Sequence, residues 1–108
     1  MKINELLSDR AILQELGERF GRIRLEHNLT QAELAERVGL RYYTFVSQVE
    51  SGLGRVPIET QGAWAEAVGL NPAEFARTLL RYYEPELFRL LFGEAAEVAP
   101  VARLAGRG

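Results

Sequence analysis

The sequence contains no cysteine and a single histidine, His27. Without cysteine, disulfide bonds and thiolate metal sites are excluded, and one histidine leaves no pair to hold a metal ion. Long apolar runs are also missing, whereas a membrane-spanning helix needs about 20 residues. The N-terminal segment carries acidic residues where a secretory signal would be apolar. We therefore expect a cytoplasmic protein with no metal, cofactor or membrane partner.

The formal net charge of the 108 residues is −2, which counts against strong binding to nucleic acid. Phosphate neutralisation by lysine and arginine supplies most non-specific affinity for DNA. The charges are unevenly placed, however. The stretch from Arg41 to Arg55 contains two arginines and one acid, Glu50. The acidic excess lies after Arg55, where seven glutamates outnumber five arginines; among these glutamates are Glu66, Glu74, Glu84, Glu86, Glu94 and Glu97. We predict one domain with a locally cationic face, for which any non-specific affinity for nucleic acid would be weak.

Every strong periodic pattern in the sequence is helical, which predicts an all-α fold. The first helix is predicted to start after Ser8 or Asp9 and to end near His27. It contains Gly17 and Gly21, each of which costs about 1 kcal/mol relative to alanine. We expect close packing against a neighbour to compensate. The stripe that this helix would bury consists of Leu13, Leu16, Phe20 and Ile23.

Four further helices are indicated by capping and spacing signals. The last of them begins at Pro72 behind the cap Asn71. The helix before it follows Pro57, which suits a first helical position, and carries Trp64 toward the core. The other two are predicted from about Gln31 to Val38 and from about Tyr42 to Glu50.

A helix-turn-helix is the most informative pattern in the chain. The capping box of Thr30 and Glu33 opens the first helix, and Gly39 ends it. A second short helix ends at Gly52. Two short helices joined by a glycine-containing turn can place the second helix in a DNA major groove.

The motif of residues 30–52, with Ser47-Gln-Val-Glu-Ser-Gly52 at its end, resembles the Cro and phage-repressor (XRE-type) family of helix-turn-helix regulators. The resemblance spans about Leu13 to Leu80. It implies a five-helix lambda-repressor-like DNA-binding domain, which we place in residues 1–84, with an additional C-terminal helix. It also implies an ion pair between Arg24 and Glu50 that orients the reading helix.

This chain has one residue more than the family usually has between Gly39 and Val46. Aligned from its C-terminal end, the reading helix turns Val46, Val49 and Tyr42 toward the core. Base contacts are then predicted for Tyr43, Thr44, Ser47 and Gln48. Phosphate contacts are predicted for Gln31, Arg41, Tyr42, Ser51 and Arg55.

Several of these assignments stay open at the level of sequence. The extra residue leaves Arg41, Tyr42 and Tyr43 as phosphate contacts, base readers or turn residues. Arg55 fits a solvated loop arginine equally well. Phe45 lies at the edge of the core face, which favours packing over insertion into the groove.

The segment of residues 85–93 is richer in apolar side chains than one short helix face can bury. This richness suggests a dimer interface, formed by Leu87, Phe88, Leu91 and Phe92. Ordinary packing onto the rest of the chain is the alternative. The tail, residues 94–108, has no clear amphipathic face and is predicted to be disordered.

These patterns predict a sequence-specific transcriptional regulator that binds double-stranded DNA, represses by occupying a palindromic operator, and acts as a homodimer. One alternative is an antitoxin whose C-terminal helix caps a toxin partner. Another is a helix-turn-helix adaptor that does not bind DNA. An enzyme is not predicted, because Tyr42 and Tyr43 lack the arginine and histidine cluster that phosphoryl transfer by a tyrosine nucleophile needs.

Overall fold

A computed structural model of the protein describes the backbone of residues 3–93 and the side chains of residues 9–93. This part of the chain is helical and contains no strand, so the all-α prediction is confirmed. The predicted tail, residues 94–108, lies outside the described residues. The helices are α1 (Ile3–Glu26), α2 (Gln31–Val38), α3 (Thr44–Glu50), α4 (Ile58–Ala67), α5 (Pro72–Tyr83) and α6 (Pro85–Phe92).

The chain divides after Arg55 into two compact units. In the first unit, α3 packs against both α1 and α2. In the second unit, α5 packs against both α4 and α6. The helix-turn-helix therefore lies in the first unit and the predicted dimer segment in the second.

Helix α1 begins at Ile3, earlier than predicted. Ser8 and Asp9 were expected to precede the helix because both residue types favour N-caps. A helix interior tolerates them at well under about 1 kcal/mol each, so an upstream helical segment can continue through them. The predicted buried stripe is largely confirmed, because Leu16, Phe20 and Ile23 are buried while Leu13 is half-buried.

The glycines of α1 allow a close approach to α3, as predicted. A Cβ atom on Gly17 would lie 2.5 Å from the carbonyl oxygens of both Val49 and Glu50. A Cβ atom on Gly21 would lie 3.1 Å from Oε1 of Glu50. The end of α3 therefore packs closely against α1 at the two glycine positions, where α1 has no side chain.

The second unit has its own core. Trp64, Phe75 and Leu79 are each no more than 2% exposed, which confirms that Trp64 is a core residue. Asn71 caps α5 as predicted, because its Oδ1 accepts a hydrogen bond from the Glu74 amide at 3.0 Å. Pro57 is the N-cap of α4 rather than its first helical residue. Its ψ of 142° is extended, so the helix begins one residue later.

None of the helices among residues 3–93 combines the length and the apolar character that crossing a membrane requires.

Candidate nucleic-acid interface

The first helix of the motif, α2, has the predicted capping box. The Glu33 amide donates to Thr30 Oγ1 at 3.0 Å, and the Thr30 amide donates to Glu33 Oε1 at 2.9 Å. The hydrogen bond from the Thr30 backbone lowers the pKa of Glu33 below its ordinary value of 4.5. The carboxylate therefore stays charged at the positive end of the helix dipole.

The turn after α2 depends on Gly39. Its φ of 87° lies in the left-handed region, which glycine adopts without steric cost. In that conformation the Gly39 amide donates to the carbonyl of Ala35 at 3.0 Å, and the Leu40 amide donates to the same carbonyl at 2.8 Å. Glycine here closes α2 and redirects the chain toward α3.

Helix α3 starts at Thr44, two residues later than predicted. Tyr43 occupies the N-cap position without a side-chain hydrogen bond. Tyrosine is not among the residue types that cap helices well. Because α3 begins at Thr44, Tyr42 and Tyr43 both lie in the connection that precedes it. The connection between α2 and α3 consists of residues 39–43.

The two faces of α3 differ sharply in character. Val46 and Val49 are buried, as predicted. On the opposite side Thr44 and Gln48 are exposed and Ser47 is half-buried. The polar side chains predicted to meet base edges therefore lie on one face of the helix.

The ion pair between Arg24 and Glu50 is present. Arg24 Nε donates to Glu50 Oε2 at 2.7 Å and Nη2 donates to Oε1 at 3.1 Å. The third nitrogen, Nη1, donates to the carbonyl oxygen of Leu29 at 2.7 Å. Each charged side chain is only 11% exposed. One guanidinium thus joins α1, the end of α3 and the turn before α2.

Gln31 takes part in the same network, a role that was not predicted from the sequence. Its Nε2 donates to Glu50 Oε1 at 3.0 Å. The side-chain amide therefore ties the start of α2 to the end of α3. The phosphate contact assigned to Gln31 stays a prediction, and the backbone amides at the start of α2 offer donors for it.

The remaining predicted phosphate contacts lie around the ends of α3. Arg41 precedes the helix and Ser51 and Arg55 follow it, and all three are exposed. Ser51 Oγ donates to the Gln48 carbonyl oxygen at 2.9 Å, which caps the helix end. Their roles toward DNA stay predictions.

Two aromatic residues are placed differently from the expectation. Tyr42 does not face the core but is 54% exposed, because α3 begins after it and helical spacing no longer applies. Phe45, expected to pack, is 44% exposed. The two rings stack with centroids 6.4 Å apart, and the guanidinium carbon of Arg41 lies 5.5 Å from the Tyr42 centroid.

The predicted dimer residues on α6 separate into two sets. Phe88 is only 3% exposed and packs within its own unit, so its side chain is not available to a partner. Leu87, Leu91 and Phe92 are between 45% and 60% exposed. Arg77 and Arg81 of α5 lie over the rings of Phe92 and Phe88, at 5.6 and 5.9 Å.

Among the described residues, no group of three or more histidine, cysteine, aspartate or glutamate side chains is placed to hold a metal ion.

Comparison with protein families identifies a helix-turn-helix match. A model described as "Helix-turn-helix" matches residues 21–75, which are 55 of the 108 residues. The match includes α2, α3 and the Arg24 and Glu50 pair. No curated protein matches the sequence.

Proposed function

Because the chain belongs to the Cro and phage-repressor family of helix-turn-helix regulators, which bind DNA, we propose that it is a repressor that binds a palindromic operator as a homodimer. Helix α3 enters the major groove of each half-site. Occupying the operator is sufficient to block access of polymerase to the promoter.

The fixed position of α3 is the observation that carries this proposal. Arg24, Gln31 and Glu50 tie the helix to α1 and α2 through hydrogen bonds of 2.7 to 3.1 Å. The exposed Gln48 is therefore presented on a rigid support. A glutamine amide can bond bidentately to an adenine edge, and Thr44 and Ser47 can donate or accept beside it.

Electrostatics supports the same orientation toward DNA. Arg41 and Arg55 lie before and after α3, and the acid between them, Glu50, is engaged by Arg24. The start of α2 adds backbone amides and the positive end of a helix dipole. These groups suit phosphate oxygens on both sides of the groove that α3 would occupy.

The exposed apolar side of α6 supports the dimer. Leu87, Leu90 and Leu91 are 45%, 73% and 60% exposed and, at about 100° per residue, share one side of the helix. Phe88, about 100° around the helix from Leu87, is buried. A two-fold dimer reads two half-sites about 34 Å apart, and it doubles the few cationic contacts that one chain supplies.

Salt dependence tests DNA binding against the adaptor alternative. The probe is a fluorescent duplex from the region upstream of the protein's own gene, titrated at several salt concentrations. We expect the logarithm of the binding constant to fall linearly with the logarithm of salt, with a slope of about −0.9 per phosphate contact. Folded protein that binds no duplex at low salt would instead support an adaptor.

A further inference from the structure

The stacked rings of Tyr42 and Phe45 are an exposed apolar surface within the predicted DNA-reading element. About half of each side chain is accessible, although neither ring is needed to fill the core. Exposed apolar patches bordered by polar residues typically mark binding sites. Here the border consists of Arg41 on one side and of Thr44 and Gln48 on the other.

The position of Phe45 relative to Gln48 points to base edges as its target. The two residues are three positions apart, so they lie about 60° apart around the helix with a rise of about 4.5 Å. Successive base pairs are about 3.4 Å apart. A helix that lies along the major groove and presents Gln48 to one base pair therefore brings Phe45 beside the next pair.

Thymine is the base whose major-groove edge matches such a ring. Its C5-methyl is the apolar group among the donors and acceptors that base pairs present there. A phenylalanine ring can neither donate nor accept a conventional hydrogen bond, so it gains most by covering that methyl group. The stack on Tyr42 restrains the Phe45 ring in advance of binding.

We propose that Phe45, supported by Tyr42, reads the 5-methyl group of a thymine next to the base pair contacted by Gln48. This inference rests on the proposed operator binding and adds a specificity-determining contact to it. The guanidinium carbon of Arg41 lies 5.5 Å from the Tyr42 centroid, a cation–π contact that places a positive charge beside the two rings. Tyr42, in the connection before α3, and Phe45, in the first turn of α3, form this surface.

Substitution of deoxyuridine for thymine tests the proposal, because it removes the methyl group and nothing else. Each thymine of the upstream duplex is replaced in turn, and the wild-type protein and the variants Phe45→Ala and Gln48→Ala are titrated against each duplex. At one thymine per half-site we expect wild-type binding to fall about fourfold, the effect of losing one buried methyl group. Phe45→Ala should lose this sensitivity, and Gln48→Ala should retain it.

The outcomes separate this inference from the function on which it rests. If the wild type binds no duplex, the operator proposal itself fails. If it binds well but no deoxyuridine weakens it, or if Phe45→Ala stays equally sensitive, operator binding stands and methyl reading by Phe45 is overturned. A Phe45→Ala variant that changes oligomeric state in sedimentation would assign the ring to a second copy of the chain and also overturn the inference.

Discussion

Arg24 and Glu50 are joined by two parallel hydrogen bonds although they are 26 positions apart in the chain. The guanidinium also caps the Leu29 carbonyl with its remaining nitrogen, at 2.7 Å. A planar pairing through two hydrogen bonds fixes the relative orientation of the two side chains as well as the distance between them. The contact therefore determines the orientation of α3, and a DNA-reading helix needs a defined orientation.

Replacing Arg24 by methionine should destabilise the protein strongly. The variant keeps much of the side-chain volume but leaves the Glu50 carboxylate largely buried and without its cationic partner. Breaking such a pair costs about 3 kcal/mol, which urea denaturation followed by circular dichroism would measure.

The exposed pair of Arg89 and Glu86 provides the matched control. It has a similar distance of 2.6 Å, but its side chains are 43% and 77% exposed. Exposed pairs contribute little because water and salt screen them, so Arg89→Met should leave the urea midpoint nearly unchanged. Equal losses in the two variants would contradict the role assigned to the Arg24 pair.

Alanine substitutions at Gly17 and Gly62 should change stability in opposite directions. At Gly17 the new Cβ would meet two backbone oxygens at 2.5 Å, and backbone atoms cannot move aside as side chains do. We expect a loss of about 2 kcal/mol in the free energy of unfolding.

Gly62, inside α4, has no atom within 4 Å of its Cβ position. Alanine there should stabilise by about 0.5–1 kcal/mol. Thermal unfolding of both variants checks the signs, and a stabilised Gly17→Ala would refute the close contact between α1 and α3.

Removing the buried hydroxyl of Thr78 should stabilise the protein. Its Oγ1 is buried without a hydrogen-bond partner among the described residues. Thr78→Val retains the shape and should raise the free energy of unfolding by about 1 kcal/mol. Thr60 is the control, because its Oγ1 donates to the Pro57 carbonyl at 2.8 Å. Thr60→Val should be destabilising, and a gain of similar size at both positions would show that the missing hydrogen bond is not the cause.

Leu91→Glu should convert the proposed dimer to a monomer. The substitution places a charge on the exposed apolar side of α6 and keeps the buried Phe88. Sedimentation should show half the wild-type mass, and operator affinity should fall by tenfold or more. Ile58→Glu is the control, since Ile58 is 83% exposed and lies on α4. A wild type that is already monomeric at micromolar concentration would contradict the dimer.

The sequence predicted much of this architecture because local signals and the fold agree. The capping box at Thr30, the turn at Gly39 and the cap at Asn71 each specify a helix end through nearby atoms. The resemblance to the family also pointed to Arg24 and Glu50. The sequence alone could not predict the exposure of Tyr42 and Phe45, because that exposure depends on the residue at which α3 begins.

The third hydrogen bond to Glu50, from Gln31, was not anticipated for a related reason. A glutamine at a helix start predicts an approach to phosphate, and nothing local indicates that the end of another helix lies within reach of its amide. Likewise, Phe88 could not be separated from Leu87 and Leu91 before the packing of α6 on α5 was known.

The measurement closest to the central claim compares wild-type protein and Gln48→Ala on the upstream duplex and on random DNA. We predict that the substitution weakens binding to the upstream duplex by about 1–3 kcal/mol and leaves binding to random DNA unchanged. Equal affinity of the two proteins for the upstream duplex, with both shown to be folded, would contradict the claim that α3 reads bases through Gln48.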